Sequence, residues 1–232
     1  MADVAVLERE LYTEGEAARL LRVAPSTLHY WLEGEGGRGK SHRPVSRPDR
    51  RGRGASVTWA EFVEAGLLRG YRKQVHMSTL REFIDHLRQD FGVPYPLADR
   101  RPWVDQGRGR KLVWEAQISS GVKPEMALVV KVGDSDQYVL THASQSFYDR
   151  VEWDGDLPSG YRPADDPESQ VRCLPSIRFG RPSVRGISTE AIWEQRASGL
   201  DDDEIAATYG ISEDEVFSAI AYERSLRRSS AA

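Results

Sequence analysis

The sequence predicts an α+β, mainly helical chain, and three observations predict it. Capping-box spacings followed by apolar residues at helical intervals occur near both ends, starting at Thr13, Thr58, Asp201 and Ser212. Short β-prone runs fill the middle, separated by Gly, Pro and Asp. Helices joined by tight turns, the pattern of a helix-turn-helix, stand at the N-terminus and again in a trihelical C-terminal unit. The expected organisation is residues 1–95 helical, 96–165 a β-rich middle segment and linker, and 166–232 trihelical.

In the first part, Thr13 lies three residues before Glu16, and Ala17, Leu20 and Leu21 repeat at helical spacing. This helix should stop near Arg22, because Pro25 disfavours helix before it and suits the first position of the next one. The second helix then runs from Pro25 to about Leu32, with Leu28 and Trp31 inward and Ser26, Thr27, His29 and Tyr30 outward. From Gly34 to Gly54 the chain is rich in Gly, Pro and Arg, which reads as a flexible basic loop. Thr58 and Glu61 open a further helix toward Arg72. Ser78 is the expected cap of another, carrying Leu80, Phe83, Ile84 and Leu87 and ending at Gly92. Those four apolar residues suit either the core or a dimer interface.

In the middle, 111–116, 126–132 and 137–141 read as strands, with Gly133 and Asp134 at a hairpin turn, and 161–166 (YRPADD) reads as a linker. The tail holds three helices, from Ser188, Asp201 and Ser212. The second and third have Glu204 and Glu215 at capping-box spacing, and Ile192, Ile205, Ala206, Val216 and Ile220 form an inward face.

The formal net charge is −4, but arginines crowd 38–53 while acidic residues crowd the C-terminal part, so the two ends suit different partners. No apolar run reaches the roughly 18 residues of a membrane span, and the N-terminus lacks a signal peptide's apolar stretch. No membrane association is expected, and the cytoplasm is the expected compartment. Cys173 is the single cysteine and the five histidines lack metal-ligand spacing, so neither metal nor other cofactor is expected. Residues 34–41, GEGGRGKS, fit the phosphate-loop pattern, but a helix rather than a strand precedes them and Pro44 and Pro48 follow. No nucleophile with a base, and no paired carboxylates in an apolar setting, stand at catalytic spacing, so no enzymatic activity is expected.

The remaining candidates are for nucleic acid. Ser26, Thr27 and His29 on the second helix can reach base edges and phosphates, while Tyr30 suits either that role or the edge of the core. Lys40, Arg43, Arg47, Arg50, Arg51 and Arg53 in the adjoining loop can lie along phosphates as a wing.

LYTEGEAARLLRVAPSTLHYWLEG, with TWAEFVEAGLLRGYRK and STLREFIDHLRQDFGVPYPL, resembles the winged-helix DNA-binding domain of MerR-type regulators. The tail, with Phe-Gly-Arg-Pro at 179–182, Arg-Gly at 185–186 and then three helices, resembles a small trihelical domain of bacterial antitoxins. Together they are similar to the long VapB-type antitoxins. The resemblance implies a homodimer on double-stranded operator DNA that represses its own operon and neutralises a PIN-like ribonuclease toxin. It assigns toxin contact to the tail: Phe179, Arg181, Arg185, Arg224, Arg227 and Arg228. Inhibition would come from acidic residues in the toxin's basic cleft, or from arginines 224, 227 or 228 pairing with its metal-binding carboxylates. The alternative is a MerR-like transcription regulator responding to a small-molecule effector bound between Met126 and Tyr161. A third reading is an adaptor of two helical modules with no DNA role.

Overall fold

The computed structural model describes residues 4–35, 42–52, 54–71, 76–104, 108–123, 126–134 and 137–230. A short helix α1 (Val4–Leu7) leads into strand β1 (Glu10–Tyr12), then helices α2 (Glu14–Leu21) and α3 (Pro25–Glu33). Strand β2 (Val57–Thr58) returns antiparallel to β1 and opens α4 (Trp59–Tyr71), which is followed by α5 (Met77–Phe91). The middle comprises α6 (Arg101–Val104), α7 (Arg108–Ser119), the hairpin β3 (Val129–Lys131) with β4 (Tyr138–Leu140), α8 (His142–Tyr148), and the hairpin β5 (Val151–Asp154) with β6 (Leu157–Tyr161). A last hairpin, β7 (Ser183–Val184) with β8 (Ile187–Ser188), precedes α9 (Thr189–Ala197), α10 (Asp202–Tyr209) and α11 (Glu213–Ser230).

The helix starts follow local chemistry. The Thr13 hydroxyl accepts from the Glu16 amide at 3.2 Å while Glu16 accepts from the Thr13 amide at 3.0 Å. The same reciprocal bonds join Thr58 with Glu61 and Ser212 with Glu215, and a capping box also joins Asp201 with Glu204. Each satisfies two amides that the first helical turn leaves without partners. Pro25 takes the first position of α3, where its missing N–H costs nothing. Helix α5 starts after His76, two residues before the position that a Ser78 cap requires.

The middle departs from the β-rich expectation. Residues 111–116 lie in helix α7, whose inward side is Val113, Ala116 and Gln117. The Gln117 side chain accepts from the Leu128 amide at 2.6 Å and the Val129 amide at 3.0 Å, and donates to the Val129 carbonyl at 2.9 Å. A polar residue thereby completes the buried helical face, which a reading of apolar positions alone passes over. The expected hairpin around Gly133 and Asp134 is present.

Residues 161–164 are not a linker. Tyr161 is buried and exchanges two backbone hydrogen bonds with Cys173, at 2.9 and 2.8 Å, and Pro163 and Ala164 are buried as well. One contiguous apolar core runs from Tyr12 to Leu226. At its centre Phe62 meets Tyr12 with ring centroids 4.7 Å apart and the edge of Tyr161 at 5.5 Å. The Trp59 indole donates to the Pro158 carbonyl at 2.6 Å, which ties α4 to β6. Leu80, Phe83, Ile84 and Leu87 are all buried in this core, so a dimer would need another surface.

Candidate nucleic-acid interface

Helices α2 and α3 meet at a turn of Arg22, Val23 and Ala24, in which Arg22 takes a left-handed conformation (φ 53°). Leu28, Trp31 and Leu32 face inward and are buried, leaving Ser26 exposed and Thr27, His29 and Tyr30 half-buried. His29 Nδ1 lies 2.9 Å from a Glu14 carboxylate oxygen, so it also ties α3 to the start of α2. Tyr30 lies under Arg81 of α5: the guanidinium donates to its hydroxyl at 2.6 Å and stands 5.2 Å from the ring centroid. Ser26 and Thr27 thus carry the freest polar atoms of α3, while His29 and Tyr30 have structural partners.

The loop after α3 is held rather than flexible where it is described. Val45 and Ser46 donate to the Trp31 carbonyl at 2.8 and 3.1 Å. Arg88 donates back to the carbonyls of these two residues at 3.0 and 2.7 Å. Arg47 corrects the sequence reading most plainly. Its side chain has no exposed surface, pairs with Glu33, and donates in a fork to Glu61 at 2.8 and 3.2 Å. A guanidinium held this way cannot reach a phosphate, because leaving would strand two buried carboxylates.

The other arginines are engaged at the surface. Arg50 donates to the carbonyls of Glu35 and His42 at 2.7 Å each, clasping the base of the loop. Arg51 pairs with Glu10 and, at 3.3 Å, with Glu61. Arg43 reaches Asp85 at 2.9 Å but remains 80% exposed, so among these it is the readiest to turn outward. Lys40 and Arg53, and most of the phosphate-loop pattern, lie outside the described residues. Sequence reasoning missed Arg81, Asp85 and Glu33, because a contact between distant elements leaves no local spacing to read.

Residues 171–222 match the model of a family described as "Protein of unknown function (DUF433)". They span β7, β8, α9, α10 and the first half of α11. Over 98% of its length the chain is 28% identical to "Uncharacterized protein Rv2308" of Mycobacterium tuberculosis, covering 95% of that protein. Over 90% it is 26% identical to "Putative antitoxin VapB45" of the same organism, covering 92% of that protein. The fold is similar to the crystal structure of Rv2018 from Mycobacterium tuberculosis, with a TM-score of 0.73 at 24% identity, covering 92% of this chain and 99% of that one. No helix among the described residues is long and apolar enough to cross a membrane.

The DUF433-like tail docks on β1 and α2 through the segment just before β7. Arg178, Phe179 and Gly180 all have positive φ (50°, 54° and 74°), a turn that leaves the Phe179 ring 67% exposed. The Tyr12 hydroxyl donates to the Gly180 carbonyl at 2.6 Å, and Arg181 donates to Glu16 at 2.7 Å. Burial alone would raise the Glu16 carboxyl. Its hydrogen bonds from Thr13 and the charge of Arg181 outweigh that and hold it below the usual carboxylate range. Arg185 is exposed, with Nε 3.9 Å from Glu215. On α11, Arg227 lies 3.8 Å from Glu223 and over the Trp193 ring at 5.0 Å, while Arg224 and Arg228 are exposed.

A Cβ at Gly180 would overlap the Tyr12 hydroxyl, and the backbone there is left-handed. Gly180→Ala should therefore lower the unfolding free energy by roughly 2–4 kcal/mol through strain and the loss of a buried hydrogen bond. Urea denaturation measures this, and an unchanged midpoint would show that the docking contact is dispensable.

Proposed function

We propose that the chain is the antitoxin of a type II toxin–antitoxin system. In this reading it binds the promoter DNA of its own operon and neutralises a PIN-like ribonuclease toxin. The observation that carries the reading is the α2–α3 pair, which buries Leu28, Trp31 and Leu32 and presents Ser26 and Thr27 outward at the start of its second helix. The antitoxin half of the reading is supported by the likeness, along most of the chain, to the relative named "Putative antitoxin VapB45".

In this reading α3 enters the major groove N-terminus first. Thr27 meets a base edge or a thymine methyl, Ser26 a phosphate, and His29 and Tyr30 border the groove. Arg43 turns from Asp85 to the DNA backbone, joined by Lys40 and Arg53, while Arg50 and Arg51 hold the loop and add positive potential. A homodimer places two such helices on successive half-sites. The acidic starts of α10 and α11 suit a basic nucleic-acid cleft of the toxin. Phe179 with Arg181 and Arg185, and Arg224, Arg227 and Arg228 on α11, supply the remaining toxin contacts.

Gel-shift titration with duplex from upstream of the gene tests the DNA half. Thr27→Ala should weaken binding to the operator by about 1–3 kcal/mol and leave random duplex unaffected. Arg43→Ala should weaken binding to every sequence and reduce the salt slope by about one unit. A variant pair that leaves both quantities unchanged removes α3 and its loop from DNA recognition. Co-expression with the neighbouring gene product tests the other half, and failure of the two to co-purify removes the toxin role.

A further inference from the structure

Asp165 is the meeting point of three arginines from separate elements. Arg22, which ends α2, donates to one of its oxygens. Arg150 donates to the other oxygen at 3.2 Å, and Arg69 of α4 lies 3.7 Å from that same atom. The arginine side chains are largely withdrawn from water, at 10%, 27% and 29% exposure, whereas the carboxylate is 56% exposed. One negative charge thus faces three positive ones, and it is the one most accessible to solvent.

Two recesses share Asp165 in their lining. The larger, ≈ 260 Å³, is lined by Gly66, Arg69, Ser146, Phe147, Arg150 and Tyr161. The smaller, ≈ 130 Å³, is lined by Arg22, Ser169, Phe217 and Tyr222. Arg22 Nε and the Tyr222 hydroxyl are buried donors with no acceptor among the described residues. Asp166 also borders the smaller recess, where its carboxylate accepts from the Glu168 amide at 2.9 Å.

We propose that this junction binds a phosphate group, and that Asp165 is an internal stand-in which the ligand displaces. A phosphate monoester carries about −1.5 to −2 charge, close to the excess that the three guanidiniums leave. Guanidinium forks match its oxygens, and partial burial strengthens each contact relative to open water. The site borders the segment in which the sequence reading places an effector pocket, and it requires neither operator nor toxin. Because Arg22 also donates to Ser225 of α11 at 2.6 Å, occupancy acts on the turn between α2 and α3 and on the tail together.

Isothermal titration of the full chain with inorganic phosphate, at constant ionic strength with chloride as reference, tests this. Saturable binding is expected. Asp165→Asn, which removes the competitor and no arginine, should tighten it by about tenfold, and Arg69→Gln or Arg150→Gln should weaken it at least as much. The unfolding temperature of the same samples should rise with phosphate, most in Asp165→Asn. Absence of saturable binding in both the parent and Asp165→Asn overturns the proposal. An Asp165→Asn variant that binds no tighter than the parent does so too, and that arm decides the matter even if an arginine variant fails to fold. A competition arm with duplex DNA separates the two sources of phosphate. Displacement by duplex identifies the nucleic-acid backbone, and its absence identifies a free phosphorylated ligand.

Discussion

Arg47→Ala is expected to lower the unfolding free energy by about 3–5 kcal/mol, the range for breaking a buried ion pair from one side. The guanidinium has no exposed surface and binds Glu33, both oxygens of Glu61 and, at 3.0 Å, the Ser56 carbonyl. Its removal leaves two carboxylates buried without their principal cation. Glu33 also accepts from the Gly52 amide at 3.0 Å and Glu61 from the Thr58 amide at 2.9 Å, so the loop and the start of α4 would loosen together. Arg43→Ala, at an exposed ion pair, should cost less than about 1 kcal/mol and serves as the control. Chemical denaturation of both variants is the measurement. If Arg47→Ala is no more costly than Arg43→Ala, the buried network is not what holds the loop. The triple change of Arg47→Met with Glu33→Gln and Glu61→Gln should recover much of the loss, because no charge is then stranded.

The second large effect concerns Glu64. Its carboxyl is completely buried; one oxygen accepts from the Leu97 amide at 3.0 Å and the other has no partner among the described residues. Burial pushes its pKa up from the ordinary 4.5 to about 8, against the opposing pull of Arg88 and the Leu97 amide. The folded chain therefore keeps this proton to about pH 8, whereas the unfolded chain releases it near 4.5. Between those values the folded state binds more protons. Its stability from this group falls as pH rises, by about 1.4 kcal/mol per unit at most, and the loss is complete above the folded pKa.

Glu64→Gln keeps the acceptor for Leu97 and removes the titration. The variant should be a few kcal/mol more stable than the parent at about pH 9, with the gap closing toward about pH 5. Urea titrations at the two pH values measure it, and an equal gap at both would remove Glu64 as its source. Glu16 and Asp165 work in the opposite direction. Burial opposes ionisation of Asp165, but Arg22, Arg69 and Arg150 outweigh it and hold the carboxyl low. The stability that Glu16 and Asp165 contribute is present above the ordinary carboxylate range and is lost as pH falls through their depressed values.

How much was legible varies with the range of the interaction. Thr13 with Glu16, Thr58 with Glu61 and Ser212 with Glu215 are three residues apart, and each forms the expected reciprocal bonds. The inward placement of Leu28 and Trp31, and the exposure of Ser26, also followed from helical spacing. Residues 111–116 read locally as a strand because Val113 and Trp114 favour one, but α7 buries Val113, Ala116 and Gln117 together, and Gln117 docks the helix on Leu128 and Val129, contacts that no local spacing reveals. The loop reads as flexible and basic from its Gly, Pro and Arg composition, which hides the buried run of Val45, Ser46 and Arg47.

The sequence by itself determined where α2, α3, α4, α10 and α11 begin, because a cap or a proline acts within one turn of the chain. Only the tertiary structure decided what each charge does. Arg47 faces carboxylates 14 positions away on either side, Arg22 meets Asp165 across 143 positions, and Tyr12 meets Gly180 across 168. An arginine written beside glycines has the same local signature whether it meets water, a phosphate or a buried glutamate. The difference is desolvation and a partner brought close by packing, and neither is encoded within a few residues of the arginine itself.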